Sequence, residues 1–411
     1  MLKINKTTKQ LVDKKALYFG LISVFLCAIG FGIINPVVPF LVKTYTTSPQ
    51  QQATIVTLLT SVYALCIFLV APIMGMLSDR FGRRPVLLIS LLGSAVGYLI
   101  FGIGGALWVL FLGRIIEGIT GGIISTIFAY FADITPVEER TKYFGWISAV
   151  VGVGSSLGPT LGGFVAKLGY SAPMYFGAVV TLLNVIFGYF FMPETLKENH
   201  KLKKINIMKL NPFTQLINIL SIKNLKWILI SGFLIWIPNG SLQSIFSQFT
   251  IDTFDWQPSL IGLVFSIIGI QDILSQVLVM PKLIKKFSDS TIATIGMIAE
   301  VIGYIFIGAS GIFSFYPLLI IGIFIFGFGD SIFGPSFNGL ISKSVNPSEQ
   351  GRIQGGSQSI QALARVVGPI IGGQLYIFIG HIAPSLLGII LIVFSMIVLT
   401  KKYLSEEKIS F

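Results

Sequence analysis

The feature that most limits the fold is a succession of apolar runs, each near the ~20 residues that cross a bilayer as a helix. Short polar punctuation such as "KTYTTSPQQQ", "DTFDWQPS" and "NPSEQGR" separates them. The first six runs cover residues 17–42, 54–75, 86–105, 107–131, 143–166 and 171–192. A polar stretch from 194 to 225 follows, and six more runs cover 226–248, 259–281, 291–309, 316–340, 356–380 and 383–400. Composition agrees: 54% of the residues are hydrophobic and 11% charged, where a soluble chain approaches roughly a quarter charged.

Basic residues set the orientation. With the N-terminus in the cytoplasm, the inside segments hold 25 lysines and arginines, whereas the outside segments hold two, Lys43 and Lys167. Arg114 and Arg365 lie within spans. The net charge of +12 is therefore a membrane-orientation signal, and nucleic acid is not an expected partner. The polar start and a first run of about 25 residues do not fit a cleavable signal peptide, whose apolar region has about 7 to 15. Cys27 and Cys66 fall inside apolar runs, which argues against a disulfide. No metal-ligand spacing or nucleotide-binding loop appears, so no cofactor and no enzymatic chemistry are expected.

The halves echo each other. "GPTLGG" at 158–163 returns as "GPIIGG" at 368–373, each after a loop with proline, glutamate and arginine. Two parallel copies across a cytoplasmic linker indicate an alternating-access transporter. The expected fold class is an all-α membrane protein with twelve transmembrane helices in two pseudo-symmetric six-helix halves. The expected organisation is a cytoplasmic segment 1–16, a bundle 17–192, a linker 193–225, a second bundle 226–400 and a cytoplasmic tail 401–411. Such a protein functions in the inner (cytoplasmic) membrane as a monomer, with a small molecule, protons and lipids as its partners.

One charge cluster stands out among the connections. "GMLSDRFGRRP" brings Gly75, Asp79, Arg80, Gly82, Arg83 and Arg84 to the membrane face between the second and third runs. A short solvated turn is the simple reading; a latch in which Asp79 pairs with an arginine is the functional one. In "GVGSSLGPTLGG", Gly154, Gly158 and Gly162 recur every fourth residue and form a smooth stripe for close helix packing. Pro159 permits a bend, and Gly368 with Pro369 repeats the device in the second half. These residues are the candidate conformational gate.

The same stretches carry a family resemblance. "GMLSDRFGRRP" resembles the loop-two signature of the major facilitator superfamily, "RIIEGITGG" (114–122) its fourth-helix pattern, and "GSSLGPTLGG" (154–163) the fifth-helix signature of proton antiporters. Through "FGIINPVVPFL", "ADITPVEERTKYFGWISA" and "QGRIQGGSQSI" the chain is similar to the tetracycline/proton antiporters of Gram-negative bacteria. The resemblance spans essentially the whole chain. It implies the major facilitator fold and proton-driven antiport without a cofactor. It places the family's ninth-helix acid on Glu300 and its eighth-helix histidine and glutamine on Asp272 and Gln276. Its first-helix and third-helix aspartates fall on Cys27 and Gly97, so neither first-half acid is present.

Four acids lie well inside the runs: Glu117, Asp272, Glu300 and Asp330. An acid at a helix centre costs about 2.5 to 3.5 kcal/mol to insert, so each must face a cavity or a partner. With Arg114 they are the candidates for proton coupling. Glu117 is expected on the face of Arg114, three residues away, either as its neutralising partner or as the first-half acid that Cys27 and Gly97 do not supply. Asp272 shares a face with Gln276, and pairing with Arg365 is its structural alternative. Substrate contacts are expected from Asn35 and Asn239, beside Pro36 and Pro238 where broken helices free backbone groups, and from Gln243, Gln276, Trp236 and Phe246. Tyr63, Phe128, Tyr130, Phe249 and Phe333 are further aromatic wall candidates, and Gln248 a further hydrogen-bonding one.

The leading function is proton-coupled efflux of lipophilic or cationic drug-like compounds. The alternatives are transport of one specific metabolite, such as a sugar or siderophore, and a non-transporting sensor or scaffold.

Overall fold

A computed structural model of the chain describes residues 14–121, 124–136, 140–196, 211–344 and 350–407. Most of the segment 1–16, much of the linker 193–225, the end of the tail and parts of the loops "TPVEERTKYFG" and "NPSEQGR" lie outside the described residues.

The described residues form helices and no strand. In chain order they are α1 (Lys14–Ile33), α2 (Val38–Lys43), α3 (Pro49–Phe81), α4 (Arg83–Ile103), α5 (Leu107–Thr120), α6 (Ile124–Ile134), α7 (Arg140–Val165) and α8 (Ala172–Phe191). Then come α9 (Pro212–Leu220), α10 (Lys223–Phe254), α11 (Pro258–Leu274), α12 (Met280–Ile284), α13 (Asp289–Phe313), α14 (Tyr316–Lys343), α15 (Gln350–Ile379) and α16 (Ala383–Glu407). Ten helical stretches are long and apolar enough to cross a membrane, and the chain is an all-α, multi-pass membrane protein. The apolar part of α16, Ala383–Leu399, is shorter.

Several boundaries depart from the sequence reading for identifiable reasons. The first run breaks at 34–37 between α1 and α2, where Pro36 interrupts the ladder and Pro39 sits in the first turn of α2. Pro238, by contrast, lies inside an unbroken α10. The run 259–281 contains a π-helical turn at Ser275–Val279 just before Pro281, which accommodates a proline within a continuing helix. The "loop" 76–85 is almost wholly helical: α3 runs to Phe81, α4 starts at Arg83, and Gly82 alone stands between them at φ +106°.

Glycines determine how closely the helices pack. On α7, a Cβ at Gly154, Gly158 or Gly162 would lie 2.1 to 2.6 Å from atoms of Ala28, Ile29 and Ile33, so the stripe packs on α1. Gly368 and Gly372 of α15 meet Ile237 and Ser241 of α10 in the corresponding way. Neighbouring residues of the same helices make a different junction. Pro159 and Ser156 of α7 receive Gly262 and Gly269 of α11, Gly163 meets Pro258, and Gly373 of α15 meets Thr57 of α3. The Thr160 hydroxyl donates to the Gly262 carbonyl (3.2 Å) and meets the Ser266 hydroxyl, which in turn donates to the Ser156 carbonyl. The Ser247 hydroxyl donates to the Asn35 carbonyl at the α1–α2 break (3.0 Å). These contacts close the helix ends near residues 35, 57, 163, 258 and 373, which we call the sealed end.

Candidate functional site

Below the seal, side chains at mid-helix meet one another yet keep open surface. On α10, Trp236 and Asn239 are half-buried and Gln243 is exposed, one turn from the sealing Ser247. Asn239 donates from Nδ2 to Asp330 Oδ1 of α14 (3.0 Å) and accepts from the Tyr304 hydroxyl of α13 (3.2 Å). Asp330 therefore points inward, and its exposure is to an interior space. Arg365 of α15 is exposed within electrostatic reach of Asp330 and of Tyr63 on α3. Across the space, Phe31 lies 6.0 Å from Tyr63 between ring centroids.

Glu300 is 0% exposed, and among the described residues its carboxylate makes no well-formed hydrogen bond, only a looser approach to the Asn239 amide. It lies within electrostatic reach of Asp330 and next to the Asn239 amide. Glycine-mediated packing holds it there: a Cβ on Gly329 would meet the Gly296 carbonyl at 2.6 Å, Glu300 N at 2.8 Å and Glu300 Cγ at 2.9 Å.

On the other side, Arg114 Nη1 meets Glu117 Oε2 at 2.7 Å, and both side chains are buried. The guanidinium also lies 4.3 Å from the centroid of the Tyr63 ring. The expected i,i+3 pair is present. A Cβ on Gly97 would lie 3.0 Å from Glu117 Cβ, which puts the glutamate at the position where the resemblance implies a third-helix acid.

Other expected residues occupy different surroundings. Asp272 accepts from Gln276 Nε2 at 2.9 Å beside the π-helical turn and stays within electrostatic reach of Asp330, so this pair borders the same space; no ion pair joins it to Arg365 among the described residues. Phe246 is buried edge-to-face on Phe265 (5.2 Å) and belongs to the packed core. Tyr130, Phe249 and Phe333 are buried too, while Phe128 packs edge-on against Phe144 at 5.1 Å. Asn35 contributes its carbonyl to the seal.

The charge cluster near Gly82 forms a bonded knot around a buried Arg83, with partners that keep partial exposure, instead of a free solvated turn. Arg83, 6% exposed, bonds Asp79 (2.5 Å), the Ser78 hydroxyl (2.7 Å) and Asp133 of α6 (3.0 Å). The backbone N–H groups of Arg83 and Arg84 donate to Glu194, and Arg84 also reaches the Tyr189 carbonyl (2.6 Å). Arg80 remains outside, stacked over Phe81. Ser78 donates to the Gly75 carbonyl, which ties that glycine into the end of α3. Every partner comes from residues 75–194, so the knot ties α3, α4, α6 and the end of α8 together.

Sequence reasoning missed three acids. Asp133 and Glu194 complete the knot. Asp252, near the sealed end, accepts from Gln248 and from the Tyr376 hydroxyl, both at 2.8 Å, while His381 stacks on Tyr376. Gln248 is thus committed to the protein's own carboxylate.

Comparisons with known proteins agree with this arrangement. The sequence profile of the Major Facilitator Superfamily matches residues 20–270 and 228–409. The chain is 33% identical to the class C tetracycline resistance protein of Escherichia coli, over 89% of this chain and 90% of that protein. It is 27% identical to multidrug resistance protein 2 of Bacillus subtilis (strain 168), over 90% of each. Among solved structures, the human organic anion transporter MFSD10 (TETRAN) superposes with a TM-score of 0.72 at 21% identity, covering 94% of this chain and 99% of that one. A D-xylose-proton symporter does so with a TM-score of 0.72 at 16% identity, covering 93% and 96%. The chain belongs to the Major Facilitator Superfamily and is a secondary transporter of small organic compounds.

Proposed function

We propose that the chain exports lipophilic or cationic drug-like compounds in exchange for protons. In this reading twelve spans form two six-helix halves, 17–192 and 226–400. α1 with α2, α5 with α6, and α11 with α12 each count as one span, and α9 belongs to the linker. Both termini are cytoplasmic, as the distribution of lysines and arginines requires, so the sealed end faces outward and the interior space opens inward in the inner membrane. The protein works as a monomer.

The observation that carries the reading is Glu300: a carboxyl at mid-span, fully buried, with no ion pair among the described residues and no well-formed hydrogen bond, beside Asp330 and the Asn239 amide. An ionised carboxylate in that position is costly, and binding one proton removes the charge. A proton taken from outside neutralises Glu300 and favours the inward-open arrangement that receives cargo. Its release into the cytoplasm restores a charge that favours the opposite one. Asp330 and Asn239 link this step to the space that holds cargo, where Trp236, Gln243 and Gln276 supply contacts. Glu117, held by Arg114 against Gly97, serves as the first-half acid.

The test is a pH-sensitive dye inside proteoliposomes carrying a proton gradient, challenged with tetracycline, ethidium and a neutral sugar. Proton movement evoked by either drug and lost in Glu300→Gln supports the reading. A response to the sugar alone transfers the protein to single-metabolite transport.

A further inference from the structure

The two arginines within the spans are treated in opposite ways. Arg114 is buried, paired with Glu117 at 2.7 Å and capped by the Tyr63 ring. Arg365 is exposed, and among the described residues no hydrogen bond or ion pair joins its guanidinium to the protein. A cation at mid-span is expensive wherever it is placed, and a protein that pairs one so closely has no structural need to leave another open.

Its surroundings indicate what it serves. Towards the open end, the same face of α15 carries Gln358, exposed, and Gln361, half-buried, seven and four residues before Arg365. Towards the sealed end that face closes at once, with Pro369 buried and Gly373 against Thr57. Arg365 is therefore the last open position on that face before the seal, as Gln243 is on its face of α10. A Cβ on Gly240 of α10 would lie 3.5 Å from the Arg365 Cα, so the two helices pack closely there and present Asn239, Gln243 and Arg365 to one region. The facing wall is aromatic, built from Tyr63 and Phe31. Asp330 lies within electrostatic reach, but its Oδ1 accepts from Asn239 and no ion pair joins it to the guanidinium among the described residues.

We infer that Arg365 is a cargo-binding residue that receives an oxyanion, a carboxylate, sulfonate or phenolate, carried by a lipophilic aromatic compound. The guanidinium fork binds such a group through two parallel hydrogen bonds, and Tyr63 and Phe31 take up the ring system. Compounds bearing both charges fit as well, the cationic part turning towards Asp330. The inference rests on the transporter reading of the interior space and extends its cargo beyond neutral and cationic compounds.

Equilibrium binding to the full-length protein in detergent, without a gradient, separates this from the antiport reading, which the dye experiment tests. Fluorescein and rhodamine 6G share a xanthene body and differ in charge. The wild type is expected to bind fluorescein saturably. In Arg365→Gln the ratio of fluorescein to rhodamine 6G affinity falls roughly tenfold to a hundredfold, the range of a hydrogen bond to a charged group. Arg365→Lys restores part of it. Thermal melting verifies that each variant is folded. No fluorescein binding by folded wild type, or an affinity ratio unchanged in Arg365→Gln, overturns the inference, whatever the outcome of the gradient experiment.

Discussion

A Cβ placed on Gly97 of α4 would stand 3.0 Å from the Cβ of Glu117 on α5, with the Glu117 amide nitrogen and the Gly113 carbonyl at the same distance. The close approach leaves no room for a side chain at residue 97. Where the resemblance implies an acid on α4, the neighbouring α5 carries Glu117, paired with Arg114.

This pair separates stability from coupling. Glu117→Gln leaves Arg114 as a buried cation without a carboxylate, and the expected destabilisation is about 3–5 kcal/mol, read as a lowered melting temperature in detergent. Adding Arg114→Gln restores much of that stability. Drug-dependent proton movement stays absent in both variants.

Glu300 should behave in the opposite manner. With only a loose approach to the Asn239 amide, which a glutamine oxygen can keep, Glu300→Gln is expected to change stability by less than about 1 kcal/mol. Its effect falls on coupling. Acidifying the outer side accelerates export by the wild type, since it loads the carboxyl, and leaves the variant's rate unaltered. Counterflow at equal pH, which needs no net proton movement, persists in the variant.

The α13–α14 contact supplies a paired test on one helix. Gly329→Ala presses a methyl group against two backbone atoms under 3 Å away, neither of which can rotate aside, and costs about 1–3 kcal/mol. Gly334→Ala, five residues on, meets nothing within 4 Å and is expected to be neutral or to stabilise by up to about 1 kcal/mol through helix propensity. Thermal melting of the two proteins checks the difference.

Gly262 governs the seal. A Cβ there would lie 2.2 Å from the Pro159 carbonyl oxygen, so Gly262→Ala forces α11 away from α7. With Cys27 and Cys66 replaced by alanine and a cysteine introduced by Gln243→Cys, an impermeant maleimide added from outside is expected to label the variant several-fold faster than its parent. Equal labelling would mean that this contact does not hold the outer side closed.

How much of this was legible in the sequence depends on the reach of each interaction. Spacing alone pairs Arg114 with Glu117 and Asp272 with Gln276, because helical periodicity fixes neighbours three and four residues apart. The glycine stripe of α7 is visible for the same reason, although its partner, α1, is not. Asp133 and Glu194 escaped notice because their arginine lies 50 and 111 residues away, and a charge at a helix end resembles any other until the chain is folded. Asp252 was hidden in the punctuation "DTFDW", where polarity marks a boundary. Aromatic residues were the least readable: Tyr63 faces the interior space and Phe246 the core, yet each sits in an apolar run that gives no hint of the difference.

The junction between α7 and α11 is built mainly of glycines, two prolines, backbone carbonyls and three hydroxyl groups. Parting such a surface carries no ion across the membrane's electric field, which does work only on displaced charge, about 2.3 kcal/mol per elementary charge over 100 mV. This junction is thus electrically silent. Any sensitivity of the transport cycle to membrane potential must come from elsewhere: from the arginines and acids within the spans, the proton and a charged cargo.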